Sequence, residues 1–370
     1  MVKVKEEHYT LTKILEQNAD YNVIFGERSN GKTTAVLSYA LNDYVSSGYK
    51  NQLALIRRWD EDFKGKNGQQ MYDGIVNLGW VKDFTKGRFN NVYYYSRGWY
   101  LCLYDDDGKR IRIDEQPFAI AFALSQEEHY KSTSYPNVKT VLFDEFITRD
   151  YYLPEEFVIF QHLLSTIIRL RNDVKIFMCG NTINKYNPYF EEMGLTNAKT
   201  MKKGTIDVYS YGESLLKVAV EYSDFPAKMK KSNKYFAFNN PKLQMITNGA
   251  WEIAIYPHLP YKYDKSEIVY WYYIVFDKEI LQCEIIYKKK EQVVFTYIHR
   301  KTTPNKEDTK QIVYSKEYNP KPNYSRLITK PTNDIEKKIL KFYREDKVFY
   351  QDNEVGELVR NYIIWCVKEQ

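Results

Sequence analysis

Short apolar runs alternate with helically spaced apolar residues through the first half of the chain, the pattern of a parallel sheet covered by helices. Residues 21–25, 52–56, 138–143 and 174–179 are continuous apolar stretches, which predict strands buried on both faces. Residues 33–44 and 154–171 carry apolar positions at helical spacing, the second with Phe157, Phe160, Leu163, Leu164, Ile167 and Ile168 on one side. Residues 84–124 break this rhythm. There, 93–96, 99–104 and 110–113, with the turn Asp105-Asp106-Asp107-Gly108, predict an antiparallel excursion inserted into the core. From 197 to 233 the composition shifts toward Lys, Ser and Gly, which predicts a linker with one short helix near 213–221. Three aromatic and β-branched runs at 268–276, 280–287 and 293–299 then predict an antiparallel meander. A stretch rich in Pro, Asn and Lys (301–331) and two amphipathic helices near 335–343 and 355–367 follow. The expected division is a first domain at 1–197, a linker at 198–235 and a smaller α+β domain at 236–370.

Composition narrows the classes. With 44% hydrophobic and 28% charged residues the chain has the make-up of a globular protein, which excludes disorder, collagen and coiled coil. Its start, Met1-Val2-Lys3-Val4-Lys5-Glu6-Glu7, has no apolar segment of the signal-peptide kind, and no apolar run approaches the roughly 18 residues of a membrane span. Cys102, Cys179, Cys283 and Cys366 lie far apart without a C-x-x-C pair, so neither a zinc knuckle nor a disulfide framework is expected and a reducing, cytoplasmic location is. Residues 1–196 hold 24 Lys and Arg against 26 Asp and Glu, whereas 197–370 hold 30 against 22. That asymmetry points to a polyanionic partner on the C-terminal half, or simply keeps the chain in solution.

Gly26-Glu27-Arg28-Ser29-Asn30-Gly31-Lys32-Thr33 fits G-x-x-x-x-G-K-[S/T] without mismatch, with an apolar strand entering and a helical pattern leaving. In such a loop the backbone N–H groups, with those of Arg28, Ser29, Asn30 and Thr34 among them, turn toward phosphates and the helix N-terminus adds partial positive charge. Lys32 would reach the β- and γ-phosphates of ATP, and the Thr33 hydroxyl would hold Mg²⁺. The strand 138–143 delivers Asp144 and Glu145 at its carboxyl end. Asp144 would complete the Mg²⁺ shell and Glu145 would activate the attacking water. A connecting turn and a loop start are the plainer readings of these two segments. Asn181 ends the next strand and is expected on the same rim beside Asp144, as a γ-phosphate sensor or as a turn residue. Arg169-Leu170-Arg171 closes the predicted helix, where cations either complement the helix dipole or offer an arginine finger to a neighbouring subunit.

These residues, together with Arg28 in the loop, Tyr135-Pro136-Asn137-Val138 leading into Asp144-Glu145-Phe146-Ile147, and Asn187-Pro188-Tyr189-Phe190, resemble the DNA-packaging ATPases of φ29-type tailed phages over most of residues 20–196. The resemblance implies an ASCE-type P-loop ATPase, a parallel sheet with helices on both faces. It implies a homomeric ring, usually pentameric, at the portal vertex of a procapsid in the host cytoplasm. The ring pumps double-stranded DNA inward, in some members with a structural RNA. It casts Lys32 and Thr33 as the phosphate and Mg²⁺ residues, Asp144 as the Walker B acid and Glu145 as the catalytic glutamate. Arg169 falls at the trans-acting finger, with Arg171 left open as the alternative, and Lys131 at a second basic residue presented to the adjacent subunit. For the C-terminal half it implies a small RNase H-like domain without its metal-binding acids. The sequence offers only scattered acids there, such as Asp277 and Glu284, so an active nuclease is not expected. Lys228, Lys230 and Lys231 in the linker and Lys288, Lys289 and Lys290 at a hairpin turn are candidate DNA contacts. The alternatives are another ring-forming P-loop translocase or helicase, and a nucleotide-switched assembly protein.

Overall fold

The computed structural model describes residues 9–149, 151–224, 251–259, 262–306 and 310–368. The chain forms two compact units, Met1–Trp251 and Glu252–Gln370.

The first unit is built on a ten-stranded sheet in the order β3-β4-β6-β2-β7-β8-β1-β10-β9, with β5 added beside β4. β1 (Tyr21–Gly26), β2 (Gln52–Arg57), β6 (Ala119–Ala123), β7 (Val138–Asp144), β8 (Lys175–Asn181) and β10 (Leu216–Ser223) run parallel. They are buried almost throughout, as strands covered on both faces must be. Side chains alternate between two apolar cores. Ile24, Leu53, Leu55 and Leu142 face helix α1 (Lys32–Ser46). Val23, Phe25, Ala54, Ile56 and Phe143 face helix α2 (Glu156–Ile168), which contributes Phe160, Leu163, Leu164 and Ile167. The same alternation sends Asp144 to the α1 side, toward the start of that helix.

β3 (Asn91–Tyr95), β4 (Gly98–Tyr104) and β5 (Arg110–Ile113) form the expected antiparallel excursion. β6 follows it but returns parallel to β2, a strand hidden in the sequence by its alanines. The expected linker is corrected more deeply. β9 (Thr205–Tyr211) and β10 join the main sheet, and β10 lies parallel to β1, with Val23 opposite Val220. The apolar run Leu216, Val218, Ala219, Val220 and Tyr222 fills both faces, so the residues read as a short helix near 213–221 form a 3₁₀ turn and a buried strand. Lysines on either side had masked that run.

The second unit holds a six-stranded sheet in the order β15-β14-β11-β12-β13-β16. β11 (Ile268–Phe276), β12 (Glu279–Lys288) and β13 (Val293–Arg300) are the antiparallel meander. β14 (Val313–Ser315) adds parallel to β11, β15 (Tyr324–Ser325) parallel to β14, and β16 (Val348–Tyr350) parallel to β13. Two of these short strands, β14 and β15, lie in the stretch rich in Pro, Asn and Lys. A short helix α3 (Pro188–Glu192) in the first unit and helices α4 (Asp334–Arg344) and α5 (Asn353–Lys368) in the second complete the elements used below. All four cysteines are free thiols and buried. Among the described residues no helix is long and apolar enough to cross a membrane.

Candidate functional site

β1 runs into a loop whose backbone is shaped for close approach. A Cβ on Gly26 would lie 2.3 Å from the Ser223 hydroxyl oxygen, so only glycine passes β10 there. Gly31 (φ 92°) and Ser29 (φ 59°) take left-handed conformations as the chain turns into α1. Asn30 is buried and fixes the loop: its Nδ2 donates to Ser223 Oγ at 2.8 Å, and Ser223 Oγ donates to the Phe25 carbonyl at 3.0 Å. Lys32 is buried as well. Its Nζ donates to the Glu27 carbonyl at 2.6 Å, to Asn30 Oδ1 at 3.0 Å and to Asn181 Oδ1 at 3.4 Å. Burial pushes its ammonium down to about 8, against the opposing pull of Asp144 and Glu27 nearby. The Glu27 carboxylate pairs with Lys203 Nζ at 2.6 Å, just ahead of β9.

β7 ends opposite α1. Thr33 Oγ1 donates to Asp144 Oδ1 at 2.7 Å, and the chain then turns through Glu145 at φ 58°. Arg57, the last residue of β2, donates Nη1 to Asp144 Oδ2 at 2.8 Å and Nη2 to Glu145 Oε2 at 2.7 Å, with Asp62 at 3.3 Å from its Nε. Ser29, Asn30, Gly31, Lys32, Thr33, Thr34, Asp144, Glu145 and Asn181 line one cleft at the carboxyl rim of the sheet, where open parallel sheets bind ligands. Asn181 stands opposite Gly26 in register, while Asp144 pairs with Cys179. Asn181 thus lies two residues past the partner of Asp144 on the neighbouring strand, lines the same cleft and turns its amide oxygen to Lys32. Arg28 is exposed and does not line the cleft.

The basic residues predicted to act on a neighbour lie elsewhere. α2 stops at Ile168, earlier than the spacing suggests, because Arg169 leaves helical geometry at φ 53°, ψ −127°. With Arg171 N bonded to the Ile168 carbonyl at 3.3 Å, residues 168–171 form a β-turn whose second position has the II′ geometry normally filled by glycine. Leu170 at its tip is 99% exposed. Arg169 Nη2 donates to the Thr133 carbonyl at 3.1 Å in an exposed contact. Arg171 instead spreads its guanidinium over the carbonyls of Tyr135, Pro136, Val138, Ile167 and Ile168, clamping the entry of β7 to the end of α2. Lys131 Nζ pairs with Glu128 and lies 3.8 Å from Glu127.

In the second unit Lys288 is tied to the Lys262 carbonyl at 2.8 Å and to Glu267 at 3.2 Å, while Lys289 and Lys290 are exposed at the β12–β13 turn. Glu284 is taken by Tyr263 and Gln282, each at 2.6 Å, and lies 3.5 Å from His299. Asp277 is a left-handed turn residue between β11 and β12. Among the described residues no group of three or more His, Cys, Asp and Glu side chains could hold a metal ion. Lys228, Lys230 and Lys231 lie outside the described residues.

Sequence reading missed Arg57, Glu27, Lys203 and Ser223. Arg57 follows an apolar run as a charged residue, but its cleft partners Asp144 and Glu145 come from the end of a different strand. Ser223 is 193 residues from Asn30, and no local signal marks it.

Comparison with known proteins adds to this geometry. The family model described as podovirus DNA encapsidation protein (Gp16) matches residues 4–234. The DNA packaging protein of Bacillus phage phi29 is 29% identical over 189 residues, which cover 50% of each chain. That of Bacillus phage B103 is 29% identical over 177 residues, 47% of this chain and 48% of its own. This chain therefore spans about half the length of the curated relatives it matches. Among solved structures, the bacteriophage Phi-29 viral genome packaging motor assembly aligns over 98% of this chain and 99% of its own, with TM-score 0.56 at 18% identity. The Phi-28 gp11 DNA packaging motor aligns over the same shares, with TM-score 0.53 at 18% identity. Both likenesses show a shared fold.

Proposed function

The chain belongs to the podovirus DNA encapsidation protein family, and from that membership we propose that it is an ATP-hydrolysing motor that drives double-stranded DNA into a procapsid. It works as a homomeric ring, pentameric by the resemblance, at the portal vertex in the host cytoplasm. The observation that carries the reading is the meeting of Lys32, Thr33, Asp144 and Glu145 in one cleft at the carboxyl rim of the ten-stranded sheet.

Lys32 would exchange the Glu27 carbonyl and Asn30 amide oxygen for the β- and γ-phosphates of ATP, and the loop's backbone N–H groups would receive the rest of the chain of phosphates. Thr33 Oγ1 and Asp144 Oδ1, 2.7 Å apart, are hard oxygen donors of the kind Mg²⁺ takes beside phosphates. The ion would neutralise charge on the transferring group. The Glu145 carboxylate, 58% exposed, would turn from Arg57 to accept the proton of the attacking water. Asn181, on the same cleft, is placed to orient that water or register the γ-phosphate.

Arg169 is the finger of choice, since Arg171 is committed to five carbonyls of its own subunit. Arg169 bonds to the Thr133 carbonyl, two residues along the chain from Lys131, and neither side chain lines the cleft of its own subunit, which suits groups that complete a neighbour's site. A meander extended by parallel strands at both edges supports an RNase H-like descent for the second unit, and among the described residues its acids do not gather as a two-metal nuclease requires. DNA would be held through its phosphates, by the linker lysines and by Lys289 and Lys290, with an affinity that falls steeply with salt.

ATP hydrolysis measured across protein concentrations, with and without linear double-stranded DNA, tests the reading. The rate per subunit should climb with both and fall about 10³-fold or more in Arg169→Ala. A rate indifferent to concentration, DNA and Arg169 would overturn the ring and leave a self-contained nucleotide switch.

A further inference from the structure

Arg57 closes β2 and Arg58 follows it, and the two side chains go to opposite sides of the sheet, as neighbours on an extended chain do. Arg57 reaches the cleft and the carboxylates of Asp144 and Glu145. Arg58 turns to the α2 side, where it is buried, and takes the main chain of the same turn. Its Nη1 donates to the Glu145 carbonyl at 3.3 Å and its Nη2 to the Phe146 carbonyl at 2.9 Å. The other edge of its guanidinium meets Glu156, with Nε to Oε2 at 2.7 Å and Nη2 to Oε1 at 2.8 Å.

Glu156 is the first residue of α2, and its side chain has no exposed surface. Oε1 also accepts from the Tyr189 hydroxyl at 2.7 Å, and Oε2 from Leu153 N at 2.7 Å. The Tyr152 ring lies 5.0 Å under the guanidinium. The exit of β2, the acid turn, residues 152–153, the start of α2 and α3 are thus drawn to one guanidinium and its carboxylate partner.

An ion pair so deeply buried is a poor source of net stability, because desolvation consumes most of the attraction, and an apolar pair of equal volume would fill the space as well. What apolar residues cannot supply is direction. A planar guanidinium with five N–H groups can hold a carboxylate on one edge and still aim donors at two successive carbonyls. Here those carbonyls belong to the two successive peptides that follow Glu145, and Phe146 N is tied to the Cys179 carbonyl at 3.3 Å. Glu145 itself sits at φ 58°, a conformation a residue other than glycine keeps only when its surroundings hold it. Arg58 does not line the cleft, so it cannot touch a nucleotide there.

We propose that Arg58, oriented by Glu156 and Tyr189, is a positioning residue for hydrolysis: by holding the carbonyls of Glu145 and Phe146 it fixes the turn from which the Glu145 carboxylate reaches the water. The inference rests on the reading of Glu145 as the base. An error of about 1 Å in such a group is enough to cost on the order of a hundredfold in rate.

The test uses the full chain with DNA and measures turnover, affinity for a fluorescent ATP analogue, and melting. Arg58→Lys should lower kcat about 10- to 100-fold while KM and analogue affinity stay within about threefold. Tyr189→Phe, which keeps the ring, should lower kcat by about 2- to 5-fold with melting nearly unchanged, and it carries the test should Arg58→Lys fold poorly. The decisive readout is a double-mutant cycle. In a Glu145→Gln background, neither Arg58→Lys nor Tyr189→Phe should lower the residual rate further. Losses that add in that background, or that move analogue affinity and melting together with kcat, would reduce the network to ordinary scaffolding and overturn the proposal. A wild-type rate untouched by Glu145→Gln would instead sink the assignment of the base, and the two failures are told apart by that single substitution.

Discussion

The two sheets of this chain draw on similar apolar and aromatic residues, but they dispose of their polar groups in opposite ways. In the first, β2, β7, β8, β1 and β10 all deliver their carboxyl ends to one rim. Each crossover brings the chain back to the same starting edge, so its polar exits gather where several strands finish. The left-handed residues Ser29, Gly31 and Glu145 stand there. In the second, β11, β12 and β13 alternate direction, and polar side chains are satisfied where they arise. Glu284 is taken by Tyr263, Gln282 and His299, and Arg300 by Asp352 at 3.0 Å. The left-handed positions Asp277, Lys278 and Gln292 serve hairpin turns instead. Parallel order concentrates chemistry, and a meander disperses it.

The sharpest way to break this comparison is to remove one polar group from each sheet. Lys32→Ala should weaken nucleotide binding by about 100-fold or more in calorimetric titration, through loss of a charge-assisted phosphate contact. Glu284→Gln should leave both binding and hydrolysis within about twofold. An equal loss from both would mean that the second sheet shares in the chemistry.

Next in size is a pH effect confined to the first rim. Lys32 titrates near 8 in the folded chain, below its unfolded value of 10.5. Between those values the unfolded chain holds the proton and the folded chain does not, so stability rises with pH across this window. The gain is up to about 3 kcal/mol. Thermal melting from pH 7.5 to 10 should show that rise in the wild type and lose it in Lys32→Met. Nucleotide affinity should move the other way, weakening above about pH 8 as the ammonium that phosphates need is lost.

The smallest effect belongs to the second sheet. The contact with Glu284 raises His299 above its usual range, with burial opposing. Stability from this pair is fully present below about pH 6.5 and is lost as pH rises through the raised value. The wild type should therefore lose a little melting temperature between pH 6.5 and 8, less than Lys32 contributes, and His299→Asn should be flat across that interval.

Local spacing explains what was legible. The strand-loop-helix at 21–44 and the acid pair at 144–145 are each encoded within a few residues, and the meander declares itself by its β-branched and aromatic runs. What could not be read depends on partners far along the chain. β10 looked like linker because lysines flank it, although Val218, Ala219 and Val220 are buried on both faces. The helix before Arg169 seemed to run on because its apolar spacing continues, and only the backbone shows that it has stopped. Arg169 and Arg171 are indistinguishable in the sequence, and only the carbonyls around Arg171 separate them.

The 168–171 turn also carries a warning for protein engineering. Its second position has a backbone suited to glycine, and an arginine held there costs about 1–3 kcal/mol. A screen that rewarded heat resistance alone would therefore favour Arg169→Gly, since relieving such a turn is a common stabilising change. The molecule it selected would be sturdier alone, and it would have lost the cation it extends beyond its own cleft.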